Sequence, residues 1–234
     1  MRTKISQEEI MQLLDKLYDQ TIEGLAKVSP PIDKLANDYL DKSEDVDTAA
    51  KQFIKYQIAK CTTSGFLTGL GGIITLPVAI PANIGSVLYV QMRMIACLAY
   101  MGGYDTNSDQ VQTLVYACLA GISVDQILKR AGIEIGTKIT TAMIEKIPGT
   151  VLTKINQKVG YRFVTKFGTK GTINLGKGVP VIGGVIGGGF DFIETRIIAK
   201  RAYKMFIKGN FNTPPSEDNR VIEIIDEVEI VEEN

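Results

Sequence analysis

Arg93 is the one charged residue between Cys61 and Tyr104, and residues 61–92 carry no charge at all. A guanidinium inside such an apolar run has to find its counter-group through the fold, because an unpaired buried charge is strongly destabilising. Asp191 and Glu194 are the candidate partners. They interrupt the second apolar stretch of the chain and share a helix face at i, i+3. Gln91 and Arg196 flank these positions and complete the polar set. Three chemistries suit it. A buried ion pair would lock two helices together. The same groups could hold a lipid headgroup or another anion. A carboxylate could also act as a general acid or base. Two carboxylates at i, i+3 can seat a metal, but no dense acidic ligand set accompanies them. No metal, no cofactor and no catalytic residue is therefore assigned.

The chain has no His and no Trp. That excludes Ser-His-Asp and Cys-His catalysis and every His-ligated metal site. Cys61, Cys97 and Cys118 are an odd number with no CxxC spacing. They read as reduced core thiols of a cytoplasmic protein. Gly65-x3-Gly69-x-Gly71-Gly72 lacks the Gly-Lys-Ser/Thr of a phosphate loop, and Gly176-Lys177-Gly178-Val179 fails the same test.

A second constellation is electrostatic. Leu152, Ile155, Val159, Phe163 and Phe167 form an apolar stripe, and Lys154, Lys158, Arg162, Lys166 and Lys170 recur every fourth residue beside it. A basic stripe bordering an apolar one is the pattern of helices that lie on anionic membranes, and also of a core-docked helix with a solvated basic face. The formal net charge is zero but unevenly placed. Residues 217–234 hold eight acids and one base, a net of −7, which leaves +7 on residues 1–216. Such segregation suggests an anionic partner, a tail that masks the basic body, or both. The stripe carries no nucleic-acid motif, so no nucleic acid is expected.

The elements that must position these groups are helical. Ser6 and Glu9 form a capping box, followed by Ile10, Leu13, Leu14, Leu17 and Thr21 at helical spacing, which predicts a helix over about 7–25. The first 20 residues are amphipathic, unlike a signal peptide. Pro30-Pro31 breaks the chain before a short helix near 33–40. Asp45 or Asp47 caps the next helix, with Ala50, Phe53, Ile54, Gln57, Ile58 and Cys61 on one stripe. The uncharged run is divided by Pro77 and Pro81 and diluted by Gly and Thr, so a buried or shallowly inserted helical hairpin fits it better than a membrane span. Further helices are expected at about 109–120, ended by Gly121, in one or two pieces over 123–147, at 150–168, and at 190–207.

Residues 77–100 laid over 180–203 give eight identities in 24, including Pro77/Pro180, Gly85/Gly188, Arg93/Arg196, Ala96/Ala199 and Tyr100/Tyr203. Each copy is a Pro-started, small-residue helix suited to close packing, so two copies would pack about a pseudo-twofold axis.

Gly65-Phe66-Leu67-Thr68-Gly69-Leu70-Gly71-Gly72, Leu76-Pro77, Ile80-Pro81, Gln91-Met92-Arg93-Met94-Ile95-Ala96 and Tyr100-Met101-Gly102-Gly103-Tyr104-Asp105 together resemble the EcsC family of bacterial proteins. The glycine-rich run 179–189 is similar to that family's C-terminal segment. The resemblance covers roughly residues 48–208. Family members often carry an Asp between the two prolines, where this chain has Val78, Ala79 and Ile80. The resemblance implies an intracellular, mostly helical protein. The family takes its name from an operon that also encodes an ABC-type transporter, which implies membrane-linked work. It brings no catalytic residues.

The expectation is an all-α protein. Helices fill residues 1–47. A single helical domain over 48–212 holds two Gly-rich hydrophobic hairpins that form an internal pseudo-repeat. A short acidic tail covers 213–234. The leading function is non-enzymatic: a cytoplasmic protein associated with the inner face of the membrane or with a membrane protein complex, with self-association left open. The alternatives are an enzyme or small-ligand-binding protein with a polar site near Arg93, Asp191 and Glu194, and a membrane-inserting, permeabilising protein.

Overall fold

The computed structural model describes residues 6–26, 28–61, 82–133, 139–167 and 188–211. Among them the chain is all-α, with no strand and one isolated bridge between Leu25 and Ser29. The helices are α1 (Gln7–Glu23), α2 (Ile32–Leu40), α3 (Val46–Cys61), α4 (Ala82–Met101), α5 (Asp109–Ala120), α6 (Val124–Arg130), α7 (Thr141–Glu145), α8 (Gly149–Phe167) and α9 (Gly188–Ala202). The last runs on into a π-helical turn at Tyr203–Ile207.

Helix α4 is the centre. Every residue from Leu88 to Ala99 is buried. A helix apolar on all sides must be surrounded, and α1, α2, α3, α5, α9 and the π turn all pack on α4. No helix among the described residues is long and apolar enough to cross a membrane. The expected hairpins and the start of each repeat copy, at 62–81 and 168–187, lie outside the described residues, as does the acidic tail. What is described of the two copies is that α4 and α9 pack together.

The ends of the helices follow from local chemistry. Ser6 Oγ accepts from Glu9 N at 3.1 Å, and Glu9 Oε2 accepts from Ser6 N at 2.7 Å, so the capping box is complete. Asp45 accepts from Thr48 N at 2.8 Å at the start of α3, and Ser108 accepts from Val111 N at 3.3 Å at the start of α5. Gly121 closes α5 in the left-handed region at φ 69°. Its N–H bonds Cys118 O, and Ile122 N bonds Ala117 O, the paired closure that favours glycine there.

Candidate functional site

Arg93 projects from the middle of α4 and is only 6% exposed. Its partners are backbone carbonyls. Nη1 donates to Thr21 O at 3.1 Å and Nη2 donates to Pro30 O. The expected ion pair with Glu194 is not formed: Glu194 sits on α9 at the surface and pairs with Lys166 of α8. The side chain of Asp191 lies outside the described residues. The physical reason is the end of α1. Thr21 is among the last four residues of that helix, whose carbonyls lack helical partners and carry the negative end of the helix dipole. A guanidinium placed there satisfies both demands with no carboxylate.

Gln91 is 1% exposed and donates from Nε2 to Thr195 Oγ1 at 3.1 Å, tying α4 to α9. The repeat alignment sets Gln91 opposite Glu194, and the actual partner is one residue further on. Arg196 is half-buried. Of the polar residues singled out from the sequence, Gln91, Arg93 and Glu194 therefore serve three different contacts. Gln91 serves the α4–α9 contact, Glu194 a surface pair, and Arg93 the junction of α1, α2 and α4.

Sequence reasoning missed what surrounds Arg93. A cleft of about 380 Å³ lies between the 28–30 loop, α2, α3 and α4. Arg93, Tyr89, Val90 and Gln57 line it from the buried side. Asp38, Lys42 and Tyr56 line it from the exposed side. Tyr89 and Ser29 share a hydroxyl–hydroxyl hydrogen bond of 2.7 Å, and Leu25 N donates to Ser29 Oγ at 3.2 Å. Among the described residues no carboxylate bonds Ser29, and a serine hydroxyl without a base lacks the activation that a nucleophile uses. Burial pushes the neighbouring Cys97 thiol up to about 12, outweighing the opposite pull of the Arg93 charge. Cys118 is pushed up to about 12 by the same cause. Neither thiol has the thiolate character that reactivity requires.

A second buried arginine also went unread. Arg201 is 9% exposed and donates from Nη1 to Cys118 O at 2.7 Å, at the end of α5. Its guanidinium lies 3.2 Å from where a Cβ on Gly121 would sit. The available signal was Gly121 itself, which marks a helix C-terminus able to accept a cation.

The basic stripe lies on α8. The apolar face of that helix (Val151, Leu152, Ile155, Val159, Phe163) is buried against α1 and α5. The stripe is thus the solvated face of a core-docked helix, whose apolar side is covered by α1 and α5. Lys154, Lys158 and Arg162 are exposed, and Tyr161 beside them is 67% exposed. Lys166 is engaged by Glu194, and Lys170 lies outside the described residues. Helix α8 carries four bases and no acid.

At the other end of α3, Asp47 gathers three donors. Lys51 approaches at 2.8 Å, and Lys208 and the Tyr203 hydroxyl also bond it. These bonds hold the Asp47 carboxyl well below the usual carboxylate range, and they fasten α3 to the π turn.

No curated protein and no solved structure gives a significant match to this chain. The model of the EcsC protein family matches residues 4–208. That span takes in α1 and α2, which wrap α4, as well as the region from residue 48 onward where the motifs cluster. With most of its length matched and an all-helical fold around the Arg93 segment, the chain belongs to the EcsC protein family.

Proposed function

We propose that this protein is a non-enzymatic peripheral binder of anionic membrane surfaces, and that the solvent face of α8 makes the contact. One observation carries the reading: Lys154, Lys158 and Arg162 stand exposed at successive i, i+4 positions beside the exposed Tyr161 on a helix with no acid. A lysine or arginine near an anionic leaflet contributes roughly 1 kcal/mol, so three supply about 3 kcal/mol. Tyrosine adds the amphipathic ring favoured at headgroup level. Because the apolar face of α8 is occupied by the core, the contact is electrostatic and reversible rather than inserted. The basic balance of residues 1–216 supports the same orientation, and the acidic residues 217–234 would compete for the basic face.

The test is co-sedimentation with vesicles of phosphatidylcholine alone or mixed with phosphatidylglycerol, at low and high salt. Binding is expected only to the anionic vesicles and should fall as salt screens the contact. Lys154→Gln/Lys158→Gln/Arg162→Gln should weaken it by about a hundredfold, the equivalent of three such contacts. Deleting residues 217–234 should strengthen it at low salt. Equal affinity for both vesicle types, or no change in the triple variant, refutes the proposal.

A further inference from the structure

We propose that the cleft at Arg93 is a binding site for a small monoanionic ligand, a carboxylate or phosphate diester on a short apolar body. The inference does not rest on the membrane reading. A guanidinium has five N–H donors. Two of those on Arg93 are used on Thr21 O and Pro30 O, and the other three have no partner among the described residues. Nor does any described carboxylate lie within ion-pair distance of it. Carbonyl oxygens bring only partial charges, the helix end about half an elementary charge. The buried cation therefore stays under-compensated, and it stands in the wall of a cavity. An oxyanion meeting the free edge of the guanidinium supplies both the missing charge and the missing acceptors.

The rest of the lining sets the class. It holds two bases, Arg93 and Lys42, and one acid, Asp38, a net of +1 (2 − 1). That favours one negative charge and disfavours a polyanion, which Asp38 would repel. Gln57, 8% exposed, and the Tyr89–Ser29 hydroxyl pair offer neutral hydrogen-bond partners, while Leu35 and Val90 form apolar wall. About 380 Å³ is at the small end of ligand pockets. It suits a metabolite-sized molecule or the headgroup end of a lipid.

Calorimetric titration of the full chain with hexanoate, dibutyl phosphate and hexanol tests the charge requirement. Short-chain phosphatidylglycerol, kept below its micelle concentration, forms the lipid arm. Tyrosine emission gives a second readout, since the chain has no Trp and Tyr39, Tyr56 and Tyr89 all line the cleft. Saturable binding of an anionic probe with none of hexanol is the expected result. Lys42→Glu changes an exposed residue, so it leaves the fold intact while turning the lining net negative. It should weaken the anion about tenfold. Arg93→Lys should weaken it at least as much, because an ammonium cannot present the fork. Tighter binding of the phosphatidylglycerol than of dibutyl phosphate identifies a lipid source, and equal or weaker binding a free metabolite. Absence of saturable binding by every anionic probe, or binding unchanged in both Lys42→Glu and Arg93→Lys, overturns the inference.

Discussion

Replacing Arg93 by Met separates a helix-capping arginine from an ion-paired one. Arg93 makes two charge-assisted hydrogen bonds to backbone carbonyls, at Thr21 and Pro30, and is 6% exposed. Bonds of that kind contribute roughly 1.5–3 kcal/mol each. Their removal leaves two poorly solvated carbonyls, while deleting the guanidinium returns part of its desolvation cost. The net expectation for Arg93→Met is a loss of about 2–4 kcal/mol, which for a chain of this size lowers Tm by about 5–15 °C. Arg93→Lys should cost about half as much, since an ammonium keeps the charge at the end of α1 but cannot span both carbonyls. The ion-pair alternative makes a different forecast for Glu194. In the structure Glu194 pairs with Lys166, and both side chains are about two-fifths exposed, so that surface pair is worth at most about 1 kcal/mol. Glu194→Gln should therefore add to Arg93→Met within about 0.5 kcal/mol. Urea unfolding followed by far-UV circular dichroism measures all four corners of the cycle. Coupling above about 1 kcal/mol between Arg93 and Glu194, or an Arg93→Met protein as stable as the parent, would refute the capping account.

Three further outcomes follow from the same packing. Asp47 has its carboxyl held low by Lys208, Lys51 and Tyr203, so its contribution to stability is present above the unfolded carboxylate value near 4 and is lost as pH falls below it; Asp47→Asn should flatten the acid limb of a Tm-against-pH curve, and an unchanged limb counts against the cluster. Cys97 and Cys118, buried with thiols raised to about 12, should resist alkylation in the native protein and label fully in denaturant, read by peptide mass mapping; native labelling at either position contradicts the packing. Gly121→Ala places a Cβ at φ 69° and 3.2 Å from the Arg201 guanidinium, and should lower stability by about 1–2 kcal/mol in urea unfolding, whereas parental stability would argue against the left-handed closure.

Helix ends were legible because their chemistry is local. Ser6 with Glu9, Asp45 out of the pair Asp45 and Asp47, and Gly121 each act within a few residues, and the helices begin or end where those residues stand. The described residues of 123–147 form two short helices, within the one or two pieces expected. One boundary shifted for a tertiary reason: the expected helix to residue 207 changes to π geometry at Tyr203, where Met205 and Phe206 turn into the core. The partner of Arg93 was not legible. Carbonyls are present at every residue, so a cation that caps a distant helix leaves no pattern of types or spacing, whereas an acid does, and the acids drew the reading toward Asp191 and Glu194. Nor could periodicity tell which neighbour would cover the apolar face of α8. The same stripe suits a bilayer or a core, and contact with α1 and α5 decided it.

Arg93 and Arg201 answer one problem twice. Each is buried, and each bonds a carbonyl in the last turn of another helix, Thr21 in α1 and Cys118 in α5. A helix end offers about half a negative charge, so this device holds a full positive charge without cancelling it. The two sites then differ in what lies beyond the guanidinium. Around Arg201 the last turn of α5 closes in, with Gly121 leaving just enough room. Around Arg93 the 28–30 loop and α2 stand back from α4 and leave a cleft. A carboxylate in place of the carbonyls would have neutralised Arg93 and made the cavity indifferent to charge. By capping α1 with an arginine and leaving space beside it, the fold keeps a positive centre that is both buried and reachable.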